Sequence, residues 1–109
     1  MPQAALRGVV EAMEHRYAHN WKLAELAKLA GMSTSTFQRT FKACVRCSPL
    51  SYLNNVRVRR AQQLLRSGSS VSKVAEATGY SSVSHFSEAF RKVANLSPMQ
   101  YRKRHLVAD

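Results

Sequence analysis

The chain has 109 residues, with seventeen Lys and Arg against six Asp and Glu and a formal charge of +11. That length allows one compact domain or two small lobes, burying roughly two-thirds of the unfolded surface. With two cysteines there is no disulfide framework, no run approaches the ~20 apolar residues of a membrane span, and charges interrupt the apolar part of the opening MPQAALRGVVEAMEHRY, unlike a secretory signal. A soluble protein of a reducing, cytoplasmic compartment is expected.

The pattern predicts an all-α chain of seven helices. The first, residues 4–18, carries Leu6, Val9, Val10, Met13 and Tyr17 at three- and four-residue steps, the spacing of one apolar stripe. The second, residues 23–30, stops at Gly31, since glycine readily takes the left-handed conformation that closes a helix. Ser33 caps the third, residues 34–45. Ser48-Pro49 is a cap followed by proline at the first helical position, where its missing N–H costs nothing. The fourth helix therefore spans residues 49–67, ends at Gly68 and packs through Leu53, Val56, Ala61, Leu64 and Leu65. At 1.5 Å per residue it is a rod of about 27 Å. Helices over residues 71–78, 82–94 and 98–105 follow, with Gly79 ending the first of them.

The later helices repeat the earlier ones. Ala27, Gly31 and Ser33 recur as Ala75, Gly79 and Ser81 at a spacing of 48. After one inserted residue, Phe37, Phe41, Ser48, Pro49 and Tyr52 recur as Phe86, Phe90, Ser97, Pro98 and Tyr101 at a spacing of 49. Each copy is a short amphipathic helix, a glycine turn and a second amphipathic helix opened by a small hydroxyl residue, which is the pattern of a helix-turn-helix.

Charge points the same way. Lys28, Arg39, Lys42, Arg46, Arg57, Arg59, Arg60, Arg66 and Lys73 lie between Glu25 and Glu76 with no acid among them, and a field of that sign attracts polyanions. No basic segment also shows an exposed apolar face, which disfavours a membrane surface. RNA fits less well because aromatic stacking platforms are missing. Double-stranded DNA, a ligand that itself repeats, suits a duplicated docking unit. A helical module docking on an acidic protein, RNA polymerase for example, is the rival reading.

At 100 degrees per residue, the face of the third helix opposite Phe37, Phe41 and Cys44 carries Ser35, Arg39 and Lys42, flanked by Thr36 and Gln38. Arg can bond guanine O6 and N7, Gln can bond adenine N6 and N7, and Ser or Thr serve either. Lys42, farther along, suits a phosphate. The matching face of the second copy carries Ser84, Glu88 and Arg91, flanked by His85 and Ser87. Glu88 either accepts a bond from cytosine N4 or turns aside to pair with a nearby Arg, and the second option is slightly preferred. Ser33, Ser82, Arg91 and Lys92 join Lys42 as expected phosphate contacts.

Over essentially its whole length the chain resembles the DNA-binding domain of the AraC family of bacterial transcriptional regulators. The resemblance rests on the tandem units and on LAELAKLAGMSTSTFQRTFK, SPLSYLNNVRVRRAQQLL and VAEATGYSSVSHFSEAFRKVANLSPMQYRK. It implies a lobe over residues 1–48, a rigid connecting helix over 49–67 and a second lobe over 68–109, with two recognition helices in successive major-groove segments about 34 Å apart. It also implies base contacts from Ser35, Thr36, Gln38, Arg39, Ser84, His85 and Glu88, and a location at the bacterial nucleoid. Arg57 sits where the family has an arginine, either bracing the lobes or touching DNA. Members commonly carry a separate effector-binding or dimerising domain, so the sequence is either a piece of a longer regulator or a stand-alone one.

The chain departs from the family pattern where a glycine usually follows the recognition helix, since Arg46 and Asn95 stand there. Asn tolerates the left-handed region, whereas Arg is strained in it by about 1 kcal/mol. Cys44 and Cys47 form one C-x-x-C, but a structural zinc needs four ligands, and the pair is read as buried, reduced and apolar. No nucleophile stands beside a base with an orienting partner, so neither an enzyme nor a cofactor or metal is expected. Tyr52 and Tyr101 are expected to pack rather than stack on bases, and Trp21 is left between packing the first lobe and reaching the sugar-phosphate backbone.

Overall fold

The computed structural model describes residues 2–105, and the regular elements among them are seven helices. These are α1 (Pro2–His15), α2 (Leu23–Leu29), α3 (Thr34–Val45), α4 (Pro49–Arg66), α5 (Val71–Ala77), α6 (Val83–Ala94) and α7 (Pro98–His105). Most ends fall within a residue or two of the expected ones. The exception is α1, which stops three residues before Ala18. There the chain reverses through His19 N–H to Arg16 O (3.1 Å) and Trp21 N–H to His19 O (2.8 Å), carrying the Trp21 ring inward.

The chain divides into two compact units between Asn54 and Asn55, inside α4. The first unit buries Leu6, Val9 and Met13 of α1 with Trp21, Leu26, Phe37, Phe41 and Leu53. The second buries Val58, Ala61 and Leu65 of α4 with Val74, Phe86, Phe90 and Tyr101. The N-terminal part of α4 therefore serves one core and its C-terminal part the other. Trp21 packs: it is 5% exposed, its indole N–H donates to Arg16 O at 2.9 Å, and the Arg16 guanidinium lies 5.2 Å from the ring.

Caps fix where the helices begin. Ser48 and Ser97 accept bonds from the backbone N–H of Ser51 (3.2 Å) and Gln100 (3.1 Å), and each stands before a proline at the first helical position. Gln100 returns the bond to Ser97 N–H at 2.9 Å, a reciprocal box that satisfies a second orphan donor. At the far end of α4, Gly68 takes φ +100, and Arg102 of α7 donates to Gly68 O and Ser69 O at 3.0 and 2.9 Å. That clasp of α7 on the end of α4 had no signal in the sequence.

Arg46 and Asn95 close α3 and α6 in the same way, at φ 76 and φ 64, with N–H bonds of 2.9 Å to Lys42 O and Arg91 O. The first turn thus keeps the left-handed backbone, and its arginine bears the strain. Relief of about 1–2 kcal/mol of left-handed strain, less about 0.5–1 kcal/mol for glycine's greater freedom when unfolded, should leave Arg46→Gly more stable by up to about 1.5 kcal/mol. Thermal unfolding should show a melting temperature raised by a few degrees, with a smaller rise for Asn95→Gly.

Candidate nucleic-acid interface

In each unit a short helix is turned sharply into the next by one glycine. Gly31 takes φ +70 and Gly79 φ +94, and the following residues, Met32 and Tyr80, donate their N–H groups to Ala27 O and Ala75 O, both at 3.0 Å. This six-to-one closure satisfies carbonyls that the helix end would orphan. Ala27 and Ala75 are both 2% exposed, so a larger side chain at either place would push the paired helices apart. The second turn holds one more residue than the first. Ser33 accepts from Thr36 N–H at 3.2 Å, and Ser82 accepts from His85 N–H at 3.0 Å. Ser82, not Ser81, is therefore the counterpart of Ser33, and Ser81 lies within the longer turn.

From these caps onward α3 and α6 match residue for residue at a spacing of 49. Each has twelve residues. Phe37 and Phe41 are fully buried with ring centroids 5.6 Å apart, as are Phe86 and Phe90 at 5.7 Å. Tyr52 meets Phe41 edge-on at 5.9 Å, and Tyr101 meets Phe90 at 5.5 Å. The Tyr52 hydroxyl donates to the Glu14 carboxylate, and Arg66 donates to the Tyr101 hydroxyl. Both tyrosines are packing residues.

Burial of one face leaves the other in solvent. On α3 the exposed side chains include Ser35, Thr36, Gln38, Arg39 and Lys42; on α6 they include Ser84, His85, Glu88, Arg91 and Lys92. Ser33 and Ser82 are exposed as well. A serine whose oxygen accepts the cap bond still has its O–H to donate, so each can hold a phosphate at a helix N-terminus.

Four points differ from or go beyond what the sequence suggested. Arg57 is not part of the open basic surface. It is 9% exposed, its guanidinium lies 5.2 Å from the Tyr80 ring centroid, and the two share a hydrogen bond within the second unit. Burial is the largest influence on both, drawing Arg57 below its ordinary pKa and raising Tyr80, with their mutual attraction acting the other way. Tyr80 in turn meets His85 edge-on at 5.3 Å, so Arg57 supports the turn that carries an exposed residue of α6. Glu88 does not pair with an arginine: among the described residues it has no ion-pair partner, although Arg91 and Lys92 follow at three and four positions. The cysteines are free thiols but not buried. Cys44 is exposed and Cys47 half-buried, because the apolar face narrows where α3 ends, as it does at Val93, 38% exposed, in the second unit. The last point is Thr78, unremarked in the sequence. It is fully buried where the first copy has Ala30, and its hydroxyl donates to Val74 O at 2.7 Å.

No described helix is long and apolar enough to cross a membrane. A family described as a helix-turn-helix domain matches residues 26–104. The chain is 42% identical over 87 residues to a Streptomyces antibioticus protein whose name describes it as AraC-like, covering 79% of this chain and 29% of that one. It is 36% identical over 84 residues to the HTH-type transcriptional regulator MtrA of Neisseria gonorrhoeae, covering 76% and 28%. The chain thus spans less than a third of these relatives. Among solved structures, a Chromobacterium violaceum regulator of the AraC-type DNA-binding domain group superposes with a TM-score of 0.85 at 29% identity, covering 98% of this chain and 96% of that one. The DNA-binding domain of AdpA, solved with a target DNA, superposes at 0.83 with 33% identity, covering 93% and 91%.

Removing the buried guanidinium should act on stability first. Loss of a desolvated cation–π contact of about 0.5–2 kcal/mol should lower the melting temperature of Arg57→Ala. An unchanged melting temperature with weakened polyanion binding would instead make Arg57 a contact residue.

Proposed function

Because the chain belongs to the AraC-type family of helix-turn-helix DNA-binding domains, we propose that it binds double-stranded DNA sequence-specifically and thereby regulates bacterial transcription. One chain occupies an asymmetric site, with α3 and α6 as recognition helices in successive major-groove segments. The observation that carries this reading is the matched pair of helices: each hides the same two phenylalanines and turns an equivalent row of polar side chains to solvent, on a chain of charge +11.

The roles follow from side-chain chemistry. Arg39 presents paired donors to guanine O6 and N7, and Gln38 presents a donor and an acceptor to adenine. Ser35, Thr36, Ser84, His85 and Glu88 complete the base-contacting rows. Ser33, Lys42, Ser82, Arg91 and Lys92 hold phosphates and set register without reading sequence. Within the same reading, the domain works at the bacterial nucleoid, with RNA polymerase as a second partner and with an effector-binding or dimerising domain beyond this sequence.

Titration with duplex DNA tests the proposal. Specific DNA should outcompete scrambled DNA, and affinity should fall steeply with salt as counterions are released. Arg39→Ala should cost about 1–3 kcal/mol and relax preference at one base pair, whereas Lys42→Ala should weaken all sequences alike and flatten the salt slope by about one unit. Equal affinity for scrambled DNA, or binding only to an acidic protein, would overturn the reading.

A further inference from the structure

Arg39 and Glu88 occupy the same place in their units, each six residues beyond its capping serine and two beyond the first buried phenylalanine. Both are exposed. At that one place the two helices carry opposite charge.

Glu88 is also unengaged. Arg91 and Lys92 stand at the helical spacings that favour an ion pair, yet among the described residues no cation lies within 4.0 Å of its carboxylate and no hydrogen bond reaches it. Two of the four other glutamates have structural work: Glu25 bonds His19 at 3.1 Å and receives the Lys22 N–H at 3.4 Å, and Glu14 receives the Tyr52 hydroxyl. The carboxylates of Glu11 and Glu76 are unengaged among the described residues, like that of Glu88, but only Glu88 lies on the row that matches Arg39. A carboxylate with no internal role, on the row facing a polyanion, must find a donor there or be repelled.

An ionised carboxylate only accepts hydrogen bonds. In the major groove guanine shows two acceptors, thymine an acceptor and a methyl group, and adenine a donor beside the acceptor N7; cytosine shows the N4 amino donor alone. Guanine and thymine are thereby excluded, and cytosine fits better than adenine because no acceptor of its own base stands beside its donor to repel the carboxylate. The same rule applied to Arg39, which only donates, selects guanine.

We propose that Glu88 determines specificity in the second unit by accepting a hydrogen bond from a cytosine N4 amino group, at the place equivalent to the one where Arg39 reads guanine in the first. This inference rests on the DNA-binding reading above. Its contribution is mainly discrimination: the charge that bonds cytosine repels the acceptor atoms of guanine and thymine. Two units of one design thus read opposite members of a G·C pair, and the site they recognise is asymmetric for that reason as well.

Selection of bound duplexes from a random pool, with the wild-type chain and with Glu88→Gln, tests it. The wild type should enrich a motif with cytosine at one position in the half read by α6. Glu88→Gln should change that position to adenine and leave the others as they were. Replacing that cytosine with adenine should lower wild-type affinity by about five- to a hundredfold and raise that of Glu88→Gln. A second probe needs no variant: N4-methylcytosine at that position keeps base pairing but replaces the groove-facing N–H, and should weaken the wild type alone among matched positions. An unchanged motif in Glu88→Gln, or indifference to N4-methylcytosine, overturns the inference while leaving DNA binding intact. Failure of the wild type to enrich any motif would instead overturn the DNA-binding reading itself.

Discussion

The rest of the structure depends on burying two phenylalanines four residues apart on one helix. Phe37 and Phe41, like Phe86 and Phe90, have no exposure to solvent, and truncating any one of them would leave a cavity costing about 3–5 kcal/mol. A helix pinned at two points one turn apart cannot rotate about its axis. Its opposite face is thereby settled, and with it the places of Ser35 and Arg39 on α3 and of Ser84 and Glu88 on α6. The tyrosines beneath, Tyr52 and Tyr101, brace the second ring of each pair edge-on, so one aromatic arrangement recurs in both units.

Within that common frame the copies have diverged where the frame permits. The turn before α6 is longer by one residue, and Tyr80, buried there, follows its glycine where the partly buried Met32 follows Gly31 in the first unit. A large ring needs support, and Arg57 supplies it from α4 with a guanidinium withdrawn from solvent. Thr78 replaces Ala30 at no polar cost because its hydroxyl returns to a carbonyl of its own helix. On the exposed faces Arg39 has become Glu88. Packing constrains these positions little, so they are where two copies of one unit can acquire different chemistry.

Much of this was legible in the sequence. Glycines at 31, 68 and 79, serines ahead of helices and the paired phenylalanines carry local physical signals, and the elements they announce are in place. The tandem pattern likewise made the exposed rows readable, since burial of one helical face dictates the other. What stayed hidden depends on contacts between distant parts of the chain. A charged Arg57 gives no sign that an aromatic ring will cover it, and Arg102 gives none that two carbonyls at the end of α4 await it. Cys44 misled because its helical phase is apolar although α3 ends before that face is covered. The preference for a Glu88 ion pair weighed repulsion from phosphates, and a nearby Arg makes such a pair possible without forming it.

Methylation interference at guanine N7 along a bound duplex tests most directly whether both units present their exposed rows to the same DNA. Two tracts of interfering guanines are expected, centred about one helical turn apart, with Arg39→Ala erasing interference in one tract only. A single tract, or tight binding with no interference from major-groove methylation, would contradict it.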